Sequence, residues 1–166
     1  MIRRATPAGR FIAARDRKSP YHRPCMINRA DLAPLFTDIA LSADDAHAIV
    51  AALHDVAQSD GVHETELDMI RGFVETLDAD LGAEKPTKLP EMTPAKLASI
   101  ITSPQVRKLA LQSAVLLAWA DGVFSEKEHV RIREYATALG LSADEYGAIE
   151  RTMTSWVQSG NVAPLF

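Results

Sequence analysis

Apolar residues along the chain recur at helical spacing, and no stretch alternates apolar and polar in the way a half-buried strand would. The pattern predicts an all-α single-domain helical bundle of about six or seven helices. Ser42, with Asp45 at the third helical position, opens a helix carrying Ile49, Val50, Leu53, Val56 and Ala57 to about Asp60. A second helix spans about Glu64 to Leu81, with Leu67, Ile70, Phe73, Val74 and Leu77 on one face and Gly82 as its stop. Residues 83–93, with Pro86 and Pro90, form a linker. Thr93-Pro94 and Ser103-Pro104 each set a capping hydroxyl before a proline at the first helical position, where the missing N–H costs nothing. The first of these helices is short, ending near Thr102. The other, to about Asp121, is apolar almost all round and should be the most buried element. Further helices run from Glu126 to Leu139, stopped by Gly140, and from Ser142, with Glu145 in the capping-box position, to about Val157.

This pattern repeats. Asp60-Gly61-Val62-His63-Glu64-Thr65-Glu66 aligns with Asp121-Gly122-Val123-Phe124-Ser125-Glu126-Lys127-Glu128 when one residue is removed from the first loop. Ala57 then pairs with Ala118, and Ile70, Arg71, Phe73 and Leu77 pair with Ile132, Arg133, Tyr135 and Leu139. The alignment predicts two related helix-loop-helix halves. Helix capping explains much of it: Gly61 and Gly122 suit the left-handed residue after a helix end, and Ser125 with Glu128 forms a capping box. The aspartates are different, because an acid at a helix C-terminus faces the negative end of the dipole and loses roughly 0.3–1 kcal/mol.

If the corners meet, Asp60, Glu66, Asp121 and Glu128 converge, and their repulsion raises at least one pKa unless a cation neutralises them. Glu64, Glu126 and His63 are weaker candidates. Oxygen ligands favour Ca²⁺, Mg²⁺ or Mn²⁺ over Zn²⁺. The competing readings are capping with surface acidity, and an acidic docking face without metal. An EF-hand is excluded, because neither loop has acids at its third and fifth positions.

Composition narrows the partners. The chain has 166 residues and a net charge of −4, but residues 1–25 hold seven Lys or Arg against Asp16 alone, leaving −10 for the rest. An acidic body argues against nucleic acid and for a cation or a protein partner. Residues 1–25 are expected to be a disordered basic segment, with Met26 as an alternative translation start, and residues 159–166 a loose tail. The single cysteine, Cys25, rules out an intramolecular disulfide framework and points to a reducing, cytoplasmic setting. The longest apolar run, Leu109 to Ala120, is interrupted by Gln112 and Ser113 and too short to span a membrane.

The remaining candidates carry less. His47 and His54, seven apart on one helical face, lack the i, i+4 spacing of a paired-histidine zinc site. Cys25 lies beside Pro24 in the segment read as disordered, and the glycines form no phosphate loop. Trp119 and Trp156 fall on apolar faces and are expected in the core.

The string Ala120-Asp121-Gly122-Val123-Phe124-Ser125-Glu126-Lys127-Glu128, followed by Leu139-Gly140-Leu141-Ser142, resembles the second half of TerB-like domains, and the first half resembles it too, over about Ala43 to Thr154. The resemblance implies a compact bacterial helical bundle of two related halves, linked to tellurite resistance and stress responses and suspected of binding metal ions; the chain itself is expected to be a non-enzymatic binding module, with metal-dependent hydrolysis at the paired carboxylates as the lesser alternative. It maps Asp60 and Asp121 onto the family aspartate and Glu128, and with a gap Glu66, onto its acidic partner. The chain departs from it at that gap, at His63 and at the proline-containing linker.

Overall fold

The computed structural model describes residues 39–81 and 89–159. Among these it contains six helices and no strand: α1 (Ala43–Ala57), α2 (Glu64–Leu81), α3 (Pro94–Ile100), α4 (Pro104–Ala118), α5 (Glu126–Ala138) and α6 (Ala143–Ser159). The expectations for residues 1–38, for Gly82 and the first part of the linker, and for the tail after Ser159 lie outside the described residues.

Helix starts follow the capping chemistry. The Asp45 N–H donates to Ser42 Oγ at 3.1 Å and the Ser42 N–H donates back to Asp45 Oδ2; Ser142 and Glu145 exchange the same pair of bonds at the head of α6. Thr93 Oγ1 accepts from the Lys96 N–H. Ser103 departs from expectation: it makes no side-chain cap, and its hydroxyl donates to Gln105 Oε1 instead. Pro104 alone marks that boundary, its fixed φ pre-set for the first turn.

α4 is the central element. From Leu109 to Ala118 every residue is buried, and α1, α2, α5 and α6 all pack against it. α1 contributes Ile49, Leu53 and Val56 to this core, α5 Ile132 and Tyr135, and α6 Ile149 and Met153. The face of α2 is rotated from the sequence expectation: Glu66, Met69, Ile70 and Phe73 are buried, whereas Leu67 and Val74 are only half-buried. Trp119 and Trp156 likewise pack on the core edge rather than inside it, half-buried. Trp119 Nε1–H donates to Thr154 Oγ1, which fixes the end of α4 to α6.

A second tie joins α1 to α5. Arg131 donates from Nε and Nη2 to the two oxygens of Asp55, and the Tyr135 hydroxyl donates to Asp55 Oδ2 at 2.7 Å. The guanidinium also lies over the Tyr135 ring. Burial, together with hydrogen bonding to the ionised Asp55, drives the Tyr135 hydroxyl well above its ordinary pKa. α5 is thereby clamped to α1, which holds the first turn of α5 against the neighbouring corner. Among the described residues no helix is long and apolar enough to cross a membrane.

Candidate functional site

Two chain reversals build the site. α1 stops at Ala57 and α4 at Ala118, each three residues before the aspartate that the sequence placed at the helix end. Asp60 and Asp121 therefore sit in the turns that follow, beyond the last full turn, and the dipole argument applies to them less strongly than the pattern implied. Gly61 and Gly122 follow with φ of +114° and +89°, where an L side chain is strained. The chain then enters the next helix at His63 and at Ser125.

Each new helix is capped by its own third-position glutamate. The Ser125 N–H donates to Glu128 Oε2 at 2.8 Å and the Glu128 N–H donates to Ser125 Oγ at 3.2 Å, a complete capping box. At α2 only half of that exchange exists. The His63 N–H donates to Glu66 Oε2 at 2.7 Å, and histidine has no hydroxyl to return the bond. The one-residue gap in the first loop thus leaves Glu66 in the position equivalent to Glu128.

Both glutamates are pointed inward. Each is 2% exposed, and the two carboxyls lie near enough to act on one another's ionisation. Burial raises the pKa of both. Glu128 is pushed up to about 7, chiefly by burial and further by the charges of Asp60 and Glu66, against the opposing pull of the Ser125 backbone and hydroxyl. Glu66 is also raised, first by burial and then by Asp60, while the His63 N–H and the Glu128 carboxyl work the other way. Both carboxyls therefore hold a proton more readily than an exposed glutamate does, because neighbouring buried carboxyls cannot both ionise cheaply.

The aspartates separate here. Asp121 Oδ1 accepts the Val123 N–H at 2.8 Å, an Asx turn that accounts for an aspartate at this position. Its other oxygen lies 3.7 Å from His63 Nε2, so His63 reaches from the first corner to the second. Asp60 has no such account: its Oδ1 is buried and has no hydrogen-bond partner among the described residues, while its charge acts on both glutamates. The expectation that both aspartates lack a structural explanation is therefore corrected in part, with Asp121 explained by its turn and Asp60 left with an unmet oxygen. Glu64 and Glu126 are exposed in the first turns of α2 and α5.

The structure thus brings together Asp60, Glu66 and Glu128, with Asp121 and His63 across the rim. Among the described residues, no group of three or more His, Cys, Asp or Glu side chains is gathered to metal-holding geometry as it stands. His47 and His54 are both half-buried on α1. His54 opens on a different cleft, shared with Asp55, Leu89 and Arg131. Sequence reasoning missed the Asp55–Arg131–Tyr135 clamp; its signal was an acid on α1 between the apolar positions Leu53 and Val56. Comparison with family models, with curated proteins and with solved structures finds no match for the chain.

Proposed function

We propose that this protein is a non-enzymatic binding module that takes up a divalent cation at the paired acidic corners, exchanging a proton held at Glu66 and Glu128 for the ion. The observation that carries the reading is the burial of Glu66 and Glu128 together with the unpartnered Asp60 Oδ1, whose charge acts on both. An orphaned buried acceptor and a protonated carboxyl are both costly arrangements that a cation relieves. The donor set is all oxygen, which favours Ca²⁺, Mg²⁺ or Mn²⁺ over Zn²⁺. Among the described residues no metal-holding group is formed as the side chains stand, so uptake of an ion goes with a local rearrangement of Glu66 and Glu128. The two corners read as related halves of a TerB-like domain. Support for this comes from the matching positive φ at Gly61 and Gly122 and from third-position glutamates that cap both following helices. A cytoplasmic role in tellurite resistance or a wider stress response goes with that kinship.

Titration calorimetry of metal-free protein with Ca²⁺, Mg²⁺, Mn²⁺ and Zn²⁺ tests the reading. We expect saturable binding of at least one oxygen-preferring ion, lost in Asp60→Asn. Absence of heat and of thermal stabilisation with all four ions removes it.

A second reading, a protein-docking face that needs no metal, has one observation of its own. Val62 and Val123, at equivalent places in the two loops, are exposed together with Val130 of α5, beside the exposed acids Glu64 and Glu126. Exposed valines next in sequence to exposed acids suit a basic protein partner. Binding of such a partner survives a chelator and weakens with salt, because exposed charges are screened.

A further inference from the structure

The two Asp-Gly corners carry the same pair of residues in different chemical settings. At the second corner the Gly122 N–H donates to the Trp119 carbonyl at 3.0 Å, and Asp121 Oδ1 is held at 2.8 Å by the Val123 N–H. Neither bond has a counterpart at the first corner: among the described residues the Gly61 N–H finds no backbone acceptor, and the buried Asp60 Oδ1 finds no donor. Gly61 is exposed, and nothing stands within 4 Å of the place a Cβ would take. An uncrowded, unpaired amide nitrogen thus follows directly on a carboxyl oxygen that no hydrogen bond pins.

An aspartyl Cγ and the amide nitrogen after it close a five-membered ring when they bond. Glycine at the second position favours closure, because it has no side chain to shield the nitrogen and restricts the backbone least. Closure also requires the carboxyl to turn onto that nitrogen, and the nitrogen to give up any acceptor it holds. At Asp121-Gly122 both requirements mean breaking a hydrogen bond; at Asp60-Gly61 neither does.

We propose that Asp60-Gly61 is a site of isoaspartate formation and that the fold protects Asp121-Gly122 from the same change. The Gly61 nitrogen bonds to Asp60 Cγ, its proton and the carboxyl OH leave together as water, and a cyclic imide spans the corner. Water then adds to one imide carbonyl and the C–N bond there breaks. Opening at Cγ restores aspartate. Opening at the Asp60 main-chain carbonyl leaves the chain running through Cβ and Cγ, with the former main-chain carbonyl as the free carboxylate. One water leaves and one enters, and no oxidant or reductant takes part. The product lengthens the corner by one methylene and moves the Asp60 carboxylate from the place where it acts on Glu66 and Glu128. If the corners hold a cation, an isomerised chain loses an oxygen there, but the isomerisation itself does not rest on that reading.

The test incubates the full chain at neutral pH over weeks, once natively and once in guanidinium chloride. Tryptic peptides 30–71 and 109–127 then carry one corner each. Electron-transfer fragmentation cleaves the Cα–Cβ bond of isoaspartate and so distinguishes it from aspartate of equal mass. In the native chain isoaspartate is expected at Asp60 at least about tenfold faster than at Asp121, the order expected when two hydrogen bonds must first break at one site and none at the other. In guanidinium chloride the two sites are expected to convert at similar rates, since both are then Asp-Gly in an unfolded chain. Equal native rates, faster conversion at Asp121, or no isoaspartate at Asp60 while the unfolded chain forms it, overturns the proposal. A preference for Asp60 that persists unchanged in guanidinium chloride overturns it too, because sequence and not the fold then sets the rate. The readout is covalent and needs no metal, so its failure leaves the cation reading standing, and failure of the cation reading leaves it unaffected.

Discussion

Glu66 and Glu128, each capping the helix it belongs to, are both buried and each acts on the other's ionisation. The same side chains thus serve two ends. One oxygen of each carboxyl satisfies a backbone N–H at a helix start, and their burial together makes an acidic pair that neither helix needs for its own cap.

Stability should fall as pH rises through neutrality. Glu128 has an ordinary carboxyl pKa of 4.5 in the unfolded chain and about 7 in the folded one. Between these values the folded state binds the extra proton, so its contribution is fully present below pH 4.5 and is lost as pH rises through 7. The loss is at most about 3 kcal/mol, because each tenfold difference in proton affinity between the two states is worth 1.4 kcal/mol. Urea denaturation at pH 5 and pH 8 measures it; equal stability at the two values contradicts the raised pKa of Glu128.

Glu128→Gln should remove most of that dependence. Glutamine retains the acceptor for the Ser125 N–H and supplies a permanent donor to Glu66, so the capping box survives without the titrating proton. The variant is expected to exceed the parent by about 1–3 kcal/mol at pH 8, since it removes the desolvated charge, and to differ little at pH 5. Destabilisation at both values would show that the carboxylate itself is needed for the fold.

Much of this was legible in sequence. Ser42-Asp45, Ser125-Glu128 and Ser142-Glu145 announced their helix starts because a hydroxyl and an acid three residues apart satisfy orphan N–H groups wherever the helix lies. The repeat pointed to Glu66 and Glu128 as a pair only on the condition that the two corners meet, and that condition is tertiary and not written in either motif. What did not follow was tertiary. The rotation of α2, which buries Glu66 and Met69 and leaves Leu67 at the edge, depends on how α2 meets α1 and α4. The Asx turn of Asp121 and the orphaned oxygen of Asp60 arise from loop geometry that two near-identical Asp-Gly pairs do not distinguish.

Asp55→Ala should be among the most damaging single changes. It leaves the Arg131 guanidinium and the Tyr135 hydroxyl, both turned toward α1, without their acceptor. Removing one member of a partly buried charge network costs about 2–4 kcal/mol. Chemical denaturation checks this, and a change below about 1 kcal/mol, the range of an exposed ion pair, would show that the clamp contributes little.

Gly122→Ala tests the corner. Among the described residues no atom stands within 4 Å of an added Cβ, so steric crowding is absent and the whole penalty comes from φ of +89°. A loss of about 1–2 kcal/mol is expected. Gly61→Ala, at φ +114° and equally open, should cost a comparable amount.

A cation that replaces a proton held at Glu66 and Glu128 must release it, so proton release on binding is the decisive readout. Calorimetric titration of metal-free protein with Ca²⁺, Mg²⁺ and Mn²⁺ at pH 6, in two buffers of different ionisation enthalpy, should show heats that differ between buffers by the release of about one proton per ion bound. The difference should vanish in Glu128→Gln. Binding without proton release, or heats of equal buffer dependence in Glu128→Gln, would place the ion elsewhere and rule out the exchange.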